Sequence, residues 1–388
     1  KPKHMLKSNT EQCHVCESCD LTLIQCAEGL SGVTSDCKVW EEINKLALCN
    51  KCGISQTITD EKWFQDTREI YENYEIYHQG DSCDHFIIKD GKNTRRSNIL
   101  VDELIQKELV GKSGTMLEIG PGGGNLLKVW NESLPAWRLY AADVNDKAKE
   151  SILSLNGVKD FYSCNIDEIP HKFDFVVSVH SLEHIPNPFD YLRNLKKIIK
   201  RDGILLINVP NCEENPFIIS VVDHCSHFVP DALCRLVAAC GYEVQSISSE
   251  IIGKEIVLCA RNAPYTLSNL AILKSTESCI MLSSHLDWLS QILEELRKLD
   301  GNTKLGCLGT SIAGTWLRAQ LGEHLQFYVD EDVSRQGKEH LGLPIQSPEQ
   351  VDPESLVFLA FHFPVAQKIS RKFQDYDFEV LLPPNPLR

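Results

Sequence analysis

The stretch LEIGPGGGNLL, residues 117–127, decides the fold of this chain. An apolar run leads into glycines at positions 120, 122 and 124, and a helical pattern starts directly after them. A strand, a glycine turn and a helix in this order are typical of a Rossmann-like unit that binds a dinucleotide or a methyl donor. The spacing G-x-G-x-G is tighter than the G-x-G-x-x-G that seats a pyrophosphate on a helix N-terminus.

The residues around this turn favour S-adenosylmethionine (SAM) over a dinucleotide. SAM carries no phosphate, and its amino-acid end needs the close backbone approach that glycine allows. Glu118, just ahead of the turn, would repel a pyrophosphate but tolerates a sulfonium and an ammonium. Asp143 closes the next strand, where its carboxylate can accept hydrogen bonds from ribose hydroxyls. The predicted cofactor-binding residues are Glu118, Gly120, Gly122, Gly124, Asp143, Val144, Asn165, Ile166 and His180.

The last three of these residues follow later strands. Asn165 and Ile166, in SCNIDEIP, can hold the edge and face of an adenine, and His180 can line the methyl-donor pocket. Four buried-strand patterns alternate with helical ones in this region, namely TMLEIG, RLYAADV, FDFVVSVH and GILLINVP. Such alternation predicts a parallel sheet covered by helices on both faces. PFDYLRNLKKIIKR (188–201) is one of the predicted helices, and we expect His184 just before it to be structural.

A second unit of the same kind follows. A long amphipathic helix, LDWLSQILEELRKL, leads into KLGCLGTSIAGTWL, which is again strand, glycine turn and helix. Its next strand ends in Asp330, as the first unit's next strand ends in Asp143. We therefore predict an α/β class I SAM methyltransferase domain followed by a second Rossmann-like domain. Residues 61–110 are polar and helical in their periodicity.

The N-terminal region is distinguished by two C-x-x-C pairs, CHVC and CNKC. Two such knuckles complete a tetrahedral shell of four thiolates, which suits a structural zinc ion with no position left for substrate. The alternative is a small core of reduced cysteines. Cys19 competes as a ligand through a second C-x-x-C with Cys16, whereas Cys26 and Cys37 are expected to be ordinary thiols. The predicted zinc ligands are Cys13, Cys16, Cys49 and Cys52.

Length and composition bound the remaining possibilities. A chain of 388 residues predicts two or three domains, here 1–70 for zinc, 71–262 for SAM with a tyrosine-rich entry segment, and 263–388. The net charge of −15 argues against nucleic acid or an anionic membrane as partner. Sixteen cysteines without the apolar core of a secretory signal lead us to expect reduced thiols and a cytoplasmic protein.

Three acid–base residues crowd the segment VVDHCSHFVP, residues 221–230. Asp223, His224 and His227 can be metal ligands, catalytic groups, or polar residues at the rim of a core. A metal is disfavoured because three ligands would crowd one turn and no fourth is evident. Residue chemistry alone leaves a base role for His224 and a structural role equally open.

Taken together, the two knuckles, LEIGPGGGNLL, the histidine segment and the C-terminal block YVDEDVSRQGKEHLGLPIQSPEQV resemble one family. It is the three-domain, zinc-containing sugar-nucleotide C-methyltransferases of deoxysugar biosynthesis. The resemblance implies that His224 is a catalytic base and that a tyrosine-rich segment, here IYENYEIYHQ with Tyr74 and Tyr77, closes over the substrate. The family's Glu-His and Tyr-Phe pairs are Asp223-His224 and His227-Phe228 here, which changes reach and hydrogen bonding at the reacting centre.

The resemblance implies C-methylation of a nucleotide-linked ketosugar through an enolate. His224 would remove the proton, Asp223 would hold the imidazole, and His227 or a tyrosine would donate to the enolate oxygen. The alternatives are O- or N-methylation of a sugar or another small metabolite, and a degenerate scaffold that only binds a partner. The intact glycine loop with Glu118 and Asp143 speaks against the degenerate scaffold.

Overall fold

The computed structural model describes residues 12–24, 30–74, 86–89, 92–263 and 275–385, with no side-chain description for 86–93 and 275–280. Tyr77 and Cys26 lie outside the described residues. Among the described helices, none is long and apolar enough to cross a membrane.

The N-terminal domain is built from short strands and ends in a helix. Asp60 caps this helix, because its carboxylate accepts a hydrogen bond from the Trp63 amide at 3.0 Å. The elements are β1 (Leu21–Ile24), β2 (Gly32–Val33), β3 (Val39–Trp40), β4 (Leu46–Cys49), β5 (Ser55–Thr57) and α1 (Glu61–Glu72).

The predicted helical character of residues 61–110 is only partly correct. An antiparallel pair of strands, β6 (Phe86–Lys89) and β7 (Lys92–Arg95), separates α1 from α2 (Arg96–Gln106). The helical interpretation of this segment missed FIIK in β6, a short apolar run that is typical of a strand.

The central domain is the predicted doubly covered sheet. The strands of this sheet are β8 (Thr115–Ile119), β9 (Arg138–Ala142), β10 (Val158–Tyr162), β11 (Phe173–Val179), β12 (Ile199–Pro210), β14 (Glu243–Ser248) and β15 (Glu255–Arg261), and the short strand β13 (Ser226–His227) lies between β12 and β14 in the chain. Its helices are α3 (Asn125–Ser133), α4 (Lys149–Leu153), α5 (Pro188–Ile198) and α6 (Pro230–Ala239). The strand order is β10-β9-β8-β11-β12-β15-β14, parallel from β10 to β12, with β15 antiparallel to both of its neighbours.

Two features of this domain differ from the sequence patterns. Helix α5 ends at Ile198, three residues before the end of the predicted helix at 201, because the chain passes directly into β12. Strand β13 does not join the central sheet. It pairs antiparallel with β5 and completes the N-terminal sheet, whose order is β1-β4-β5-β13. The histidine segment thereby lies between the first two domains.

The C-terminal domain is the predicted second Rossmann-like unit. Its elements are α7 (Ser275–Arg297), β16 (Leu305–Leu308), α8 (Ile312–Leu321), β17 (Leu325–Val329), β18 (Glu339–His340), β19 (Leu343–Gln346), β20 (Leu356–Leu359), α9 (Phe363–Ser370) and β21 (Glu379–Leu381). The sheet order is β18-β19-β17-β16-β20-β21. Its core includes Val33, Phe217 and Val221 beside Trp288 and Trp316, so all three domains share apolar contacts.

Candidate functional site

The four knuckle cysteines converge as the sequence predicts. The sulfurs of Cys13 and Cys52 are 3.4 Å apart, and those of Cys16 and Cys49 are 3.6 Å apart. All four sulfurs lie within 4.8 Å of one another, whereas Cys19 is exposed and outside the cluster. A tetrahedral ion with Zn–S bonds of about 2.3 Å places its sulfurs about 3.8 Å apart. The four side chains therefore fit a zinc ion.

The glycine turn after β8 has the backbone of a close-approach loop. Gly120, Gly122 and Gly124 have φ angles of +67°, +51° and +74°, in the left-handed region that favours glycine. A Cβ on Gly120 would lie 2.6 Å from Oγ of Ser181, so a larger residue would clash within the turn. Glu118, at the end of β8, is 4% exposed. This cradle fits the amino-acid end of SAM.

The other predicted cofactor residues lie at the carboxyl edge of the same sheet. Asp143 follows β9, and Oδ1 of its carboxylate accepts a hydrogen bond from the Asn145 amide at 3.3 Å. Burial raises the pKa of the Asp143 carboxyl. The Val144 side chain is 88% exposed and faces open space. Asn165 is also exposed, and its side-chain amide donates a hydrogen bond to Glu168 at 2.9 Å.

His180 directly follows β11 and has an unusual backbone conformation. Its φ of +49° is left-handed, which costs a non-glycine residue energy and persists where the surroundings impose it. Nε2 of the ring lies 3.1 Å from Oε1 of Glu255, and Nδ1 lies 3.4 Å from Oε1 of Glu183. His180 therefore bridges two carboxylates beside the predicted SAM cradle. Burial raises the pKa of the Glu183 carboxyl.

The centre of the site is a pair of residues that the sequence places 39 positions apart. Nδ1 of His184 lies 3.0 Å from the Asp223 carbonyl oxygen and 3.4 Å from the carboxylate oxygen Oδ2 of Asp223. The Tyr71 hydroxyl, at the end of α1, lies 3.0 Å from the same Nδ1. Burial alone would lower the pKa of His184, but the contact with the Asp223 carboxylate outweighs it and raises that pKa.

His224 occupies the opposite electrostatic situation. Its ring packs edge-on against the His184 ring, with centroids 4.7 Å apart, and it is 5% exposed. Burial lowers the pKa of His224 well below the usual histidine value, and the neighbouring His184 charge lowers it further. Burial therefore keeps the His224 ring neutral, beside a His184 ring whose protonated form the Asp223 carboxylate favours.

Two predicted roles in the histidine segment do not match this geometry. The sequence predicts that Asp223 holds His224, but the Asp223 carboxylate contacts Nδ1 of His184, because Ser35 holds both of its oxygens. His227 was expected to donate to an enolate. It is 0% exposed in β13, and burial lowers its pKa to about 4, so it lies inside the domain contact and not at an open surface.

Sequence reasoning missed two contributors and undervalued a third. Ser35, between β2 and β3, donates from its hydroxyl to Oδ2 of Asp223 at 2.5 Å and from its amide to Oδ1 at 2.8 Å. The hydroxyl of Tyr74, one of the predicted tyrosines, lies 3.2 Å from the Ser35 oxygen, so Tyr74 contacts a residue that holds Asp223. The sequence gives no role to Tyr71 and favours a structural role for His184, whereas both lie in the cluster around Asp223. Only the adjacent Glu183-His184 pair, two ionisable residues at a strand end, offered a sequence signal for the site.

The same cluster can be considered as a metal site. An oxygen of Glu183 and one nitrogen each of His184 and His224 lie within 4.8 Å of one another. Nδ1 of His184 is already committed to Asp223 and Tyr71, and Oε1 of Glu183 lies next to His180. Both carboxylate oxygens of Glu183 and Nδ1 of His224 have no hydrogen-bond partner among the described residues, so the cluster has the geometry to hold an ion. We interpret it as acid–base machinery because the Asp223 carboxylate already faces His184.

Comparisons with known proteins agree with a methyltransferase domain in this chain. Residues 95–247 match the family model described as a methyltransferase domain. The chain is 25% identical over 180 residues to the ubiquinone biosynthesis O-methyltransferase of Neisseria meningitidis serogroup A, which covers 39% of this chain and 74% of that protein. The enzyme of the same description from Nitrosospira multiformis is 24% identical over 161 residues, covering 36% and 66%.

Among solved structures, the chain is similar to a SAM-dependent methyltransferase from Clostridium acetobutylicum. The TM-score is 0.36 at 11% identity, covering 52% of this chain and 97% of that one. The predicted class I methyltransferase fold and the prediction of a SAM-dependent methyltransferase are confirmed by the family match and the relatives.

Proposed function

We propose that this SAM-dependent methyltransferase methylates a carbon atom of a nucleotide-linked ketosugar, with His224 as the base. The observation that carries the proposal is the contact between His184 and His224, two imidazoles whose pKa values are displaced in opposite directions. Groups whose environments separate their pKa values in this way commonly divide the acid and base roles of a reaction.

The chemistry needs both roles. A carbon beside a carbonyl is a weak acid, and it must lose its proton before it can accept a methyl group. Neutral His224 takes that proton, while the C–H electron pair moves into the enolate. A protonated His184, whose side chain is 14% exposed, would stabilise the negative charge that develops on the carbonyl oxygen. Bound SAM supplies the methyl group as an electrophile.

The residues around the pair keep this division in place. The Asp223 carboxylate, which is fully buried, balances the His184 charge, and its contacts with His184 hold its own pKa down at about 2 against the cost of burial. Asp223 therefore remains ionised throughout the working pH range. The role that we assign to Asp223 acts through His184, in place of the direct hold on His224 expected from the sequence.

The N-terminal cysteines and the cofactor turn complete the proposal. We assign Cys13, Cys16, Cys49 and Cys52 to a structural zinc ion, since a closed set of four sulfurs leaves no position for a substrate. The SAM turn at Gly120–Gly124 and Asp143 would hold the methyl donor, with His180 at the strand end beside it.

The runner-up is O- or N-methylation of a sugar or another small metabolite, and the two O-methyltransferase relatives favour the transfer to oxygen. A hydroxyl also needs a base, and His224 can serve it. What separates the two reactions is the enolate, because methylation of oxygen needs no charged partner for a carbonyl. The contact with Asp223 favours the protonated form of His184, and a protonated ring beside the base would suit the carbon acid.

The test is the position of the new methyl group. The purified protein would be incubated with SAM labelled with carbon-13 at its methyl group, and with a panel of nucleoside-diphosphate ketosugars. The labelled carbon of a C-methyl product resonates far upfield of an O-methyl carbon in NMR. A C-methyl signal that requires the keto group supports the proposal. A methoxyl signal, or equal labelling of the sugar after reduction of its keto group, favours the runner-up.

A further inference from the structure

We propose that Ser35, from the N-terminal domain, is a positioning residue of the methyl-transfer site that keeps Asp223 turned toward His184. Ser35 lies 188 positions from Asp223 in the chain. The inference rests on the proposed function for its catalytic meaning, but the contact on which it depends can be tested without any substrate.

The hydrogen bonds of Ser35 fix both oxygens of the carboxylate. Its amide donates to Oδ1 of Asp223 at 2.8 Å, and its hydroxyl donates to Oδ2 at 2.5 Å. Oδ2 is also the oxygen that lies 3.4 Å from Nδ1 of His184. A carboxylate on a short side chain has few orientations once both oxygens are engaged, so Ser35 determines which residue Oδ2 faces.

The loop that carries Ser35 is itself fixed against the histidine segment. Val33 and Val221 form a parallel bridge, and the Val222 amide donates to the Val33 carbonyl at 2.8 Å. Within the loop, the Thr34 amide donates to the Lys38 carbonyl at 2.9 Å. Because the backbone on both sides is paired, Ser35 cannot move away from Asp223 without breaking the contact between the two domains.

The hydroxyl of Ser35 also connects the site to the end of α1. The Tyr74 hydroxyl lies 3.2 Å from the Ser35 oxygen, and the Tyr71 hydroxyl contacts Nδ1 of His184, the ring atom that Asp223 also contacts. The Ser35 hydroxyl has one proton and donates it to Asp223, so the Ser35 oxygen can accept a hydrogen bond from the Tyr74 hydroxyl. The N-terminal domain and the tyrosine segment therefore both act on the reaction through one carboxylate.

The effect of a change at Ser35 on the pKa of His184 depends on the groups that face the His184 ring. They are Asp223 and Tyr71 through Nδ1, the buried Glu183 next to it, and the neutral ring of His224. Asp223 is the one that most favours the charged ring. If Ser35 is lost, the carboxylate turns or protonates more easily, and the pKa of His184 falls toward its ordinary value.

The experiment measures that pKa in substrate-free protein by NMR of isotopically labelled histidines, with the His184 signal identified by its absence in His184→Gln. We expect Ser35→Ala to lower the His184 midpoint by about half a pH unit or more. Ser35→Thr should restore it, because the hydroxyl returns. Ser18→Ala, a half-buried serine of the same domain whose hydroxyl accepts from the Asp20 amide, is the matched control and should leave the midpoint unchanged.

Catalysis is the second readout. Ser35→Ala should lower kcat about tenfold, as expected for loss of one good hydrogen bond, and should shift the basic limb of the rate profile to lower pH. A loss of activity with the limb and the His184 midpoint unmoved shows a merely structural serine and overturns the proposal. If Ser35→Ala loses its metal or unfolds, Ser35→Cys, with its weaker donor, must give an intermediate midpoint, and an unchanged midpoint overturns the proposal.

Failure of the proposed function would look different. If no ketosugar is methylated but the His184 midpoint responds to Ser35 as described, the positioning role stands and the substrate assignment falls. If ketosugars are methylated and the midpoint ignores Ser35, the function stands and this inference falls.

Discussion

Nδ1 of His184 lies 3.4 Å from Oδ2 of Asp223, and this ion pair is the electrostatic centre of the site. The Asp223 side chain is 0% exposed, and that of His184 is 14% exposed. An ion pair so far from water depends strongly on keeping both partners, because a single buried charge without its partner is costly.

The pair should make stability depend on pH in a defined window. The pKa of Asp223 is lowered from 3.8 to about 2, so its contribution is complete above pH 3.8 and is lost as the pH falls toward 2. The pKa of His184 is raised, so its contribution is complete below 6.5 and is lost as the pH rises through the folded value. The joint contribution is therefore largest between these limits.

We expect Asp223→Asn to lower the free energy of unfolding by about 2 kcal/mol near pH 5.5, with a smaller loss at pH 3. Urea unfolding of wild type and variant across this range measures the difference. The exposed Asp375→Asn provides the control for removing a carboxylate and should show no such window. A loss that stays constant between pH 3 and pH 7 would contradict the ion pair.

The cysteine cluster predicts one equivalent of zinc. Elemental analysis of protein purified without added metal should find it, and Cys49→Ser should lose it together with the stability of the N-terminal domain, because such ions contribute folding energy directly. Cys19→Ser, an exposed cysteine outside the cluster, should retain the ion. Metal-free protein with this domain folded would refute the site. A second equivalent removed by His224→Ala would refute the acid–base interpretation of the histidines.

Asp143 should contribute to the affinity for SAM through the ribose hydroxyls. Asp143→Ala should weaken binding by about 1–3 kcal/mol, the usual cost of a lost charge-assisted hydrogen bond, and calorimetry measures it. Asp146→Ala, an exposed neighbour, is the control. Unchanged SAM affinity in a folded variant would remove Asp143 from the cofactor site, and a preference for NAD would overturn the interpretation of the glycine turn.

The parts of this molecule that the sequence predicts are those encoded locally. LEIGPGGGNLL specifies its strand, turn and helix within eleven residues, and the two C-x-x-C pairs carry their own ligand geometry. The pairing of β6 with β7 escaped prediction because β7 is polar and the apolar run of β6, FIIK, is too short to show a period. The end of α5 escaped because Ile199, Lys200 and Arg201 continue the helical pattern of the sequence but form the start of β12.

The site itself depends on contacts that no local pattern encodes. His184 and Asp223 meet because β13 leaves the central domain to pair with β5, which brings the 221–227 segment against the N-terminal domain. Ser35 reaches Asp223 for the same reason. The sequence could therefore indicate that ionisable residues gather near His224, but it could not indicate which of them are partners.

The last prediction concerns His224 as the base. His224→Ala should lower turnover by about two orders of magnitude or more while SAM affinity stays nearly unchanged, because a general base acts on the reaction and not on the cofactor. The exposed His324→Ala in the C-terminal domain is the control for the substitution.

Deuterium exchange gives the sharper measurement. With S-adenosylhomocysteine in place of SAM, wild-type protein should exchange deuterium at the carbon to be methylated with water, since the proton leaves before methyl transfer. The His224→Ala protein should not exchange it. Full exchange by the variant would move the base to His184 or to a tyrosine of the α1 end, and absence of exchange in wild type together with an O-methyl product would establish the runner-up reaction.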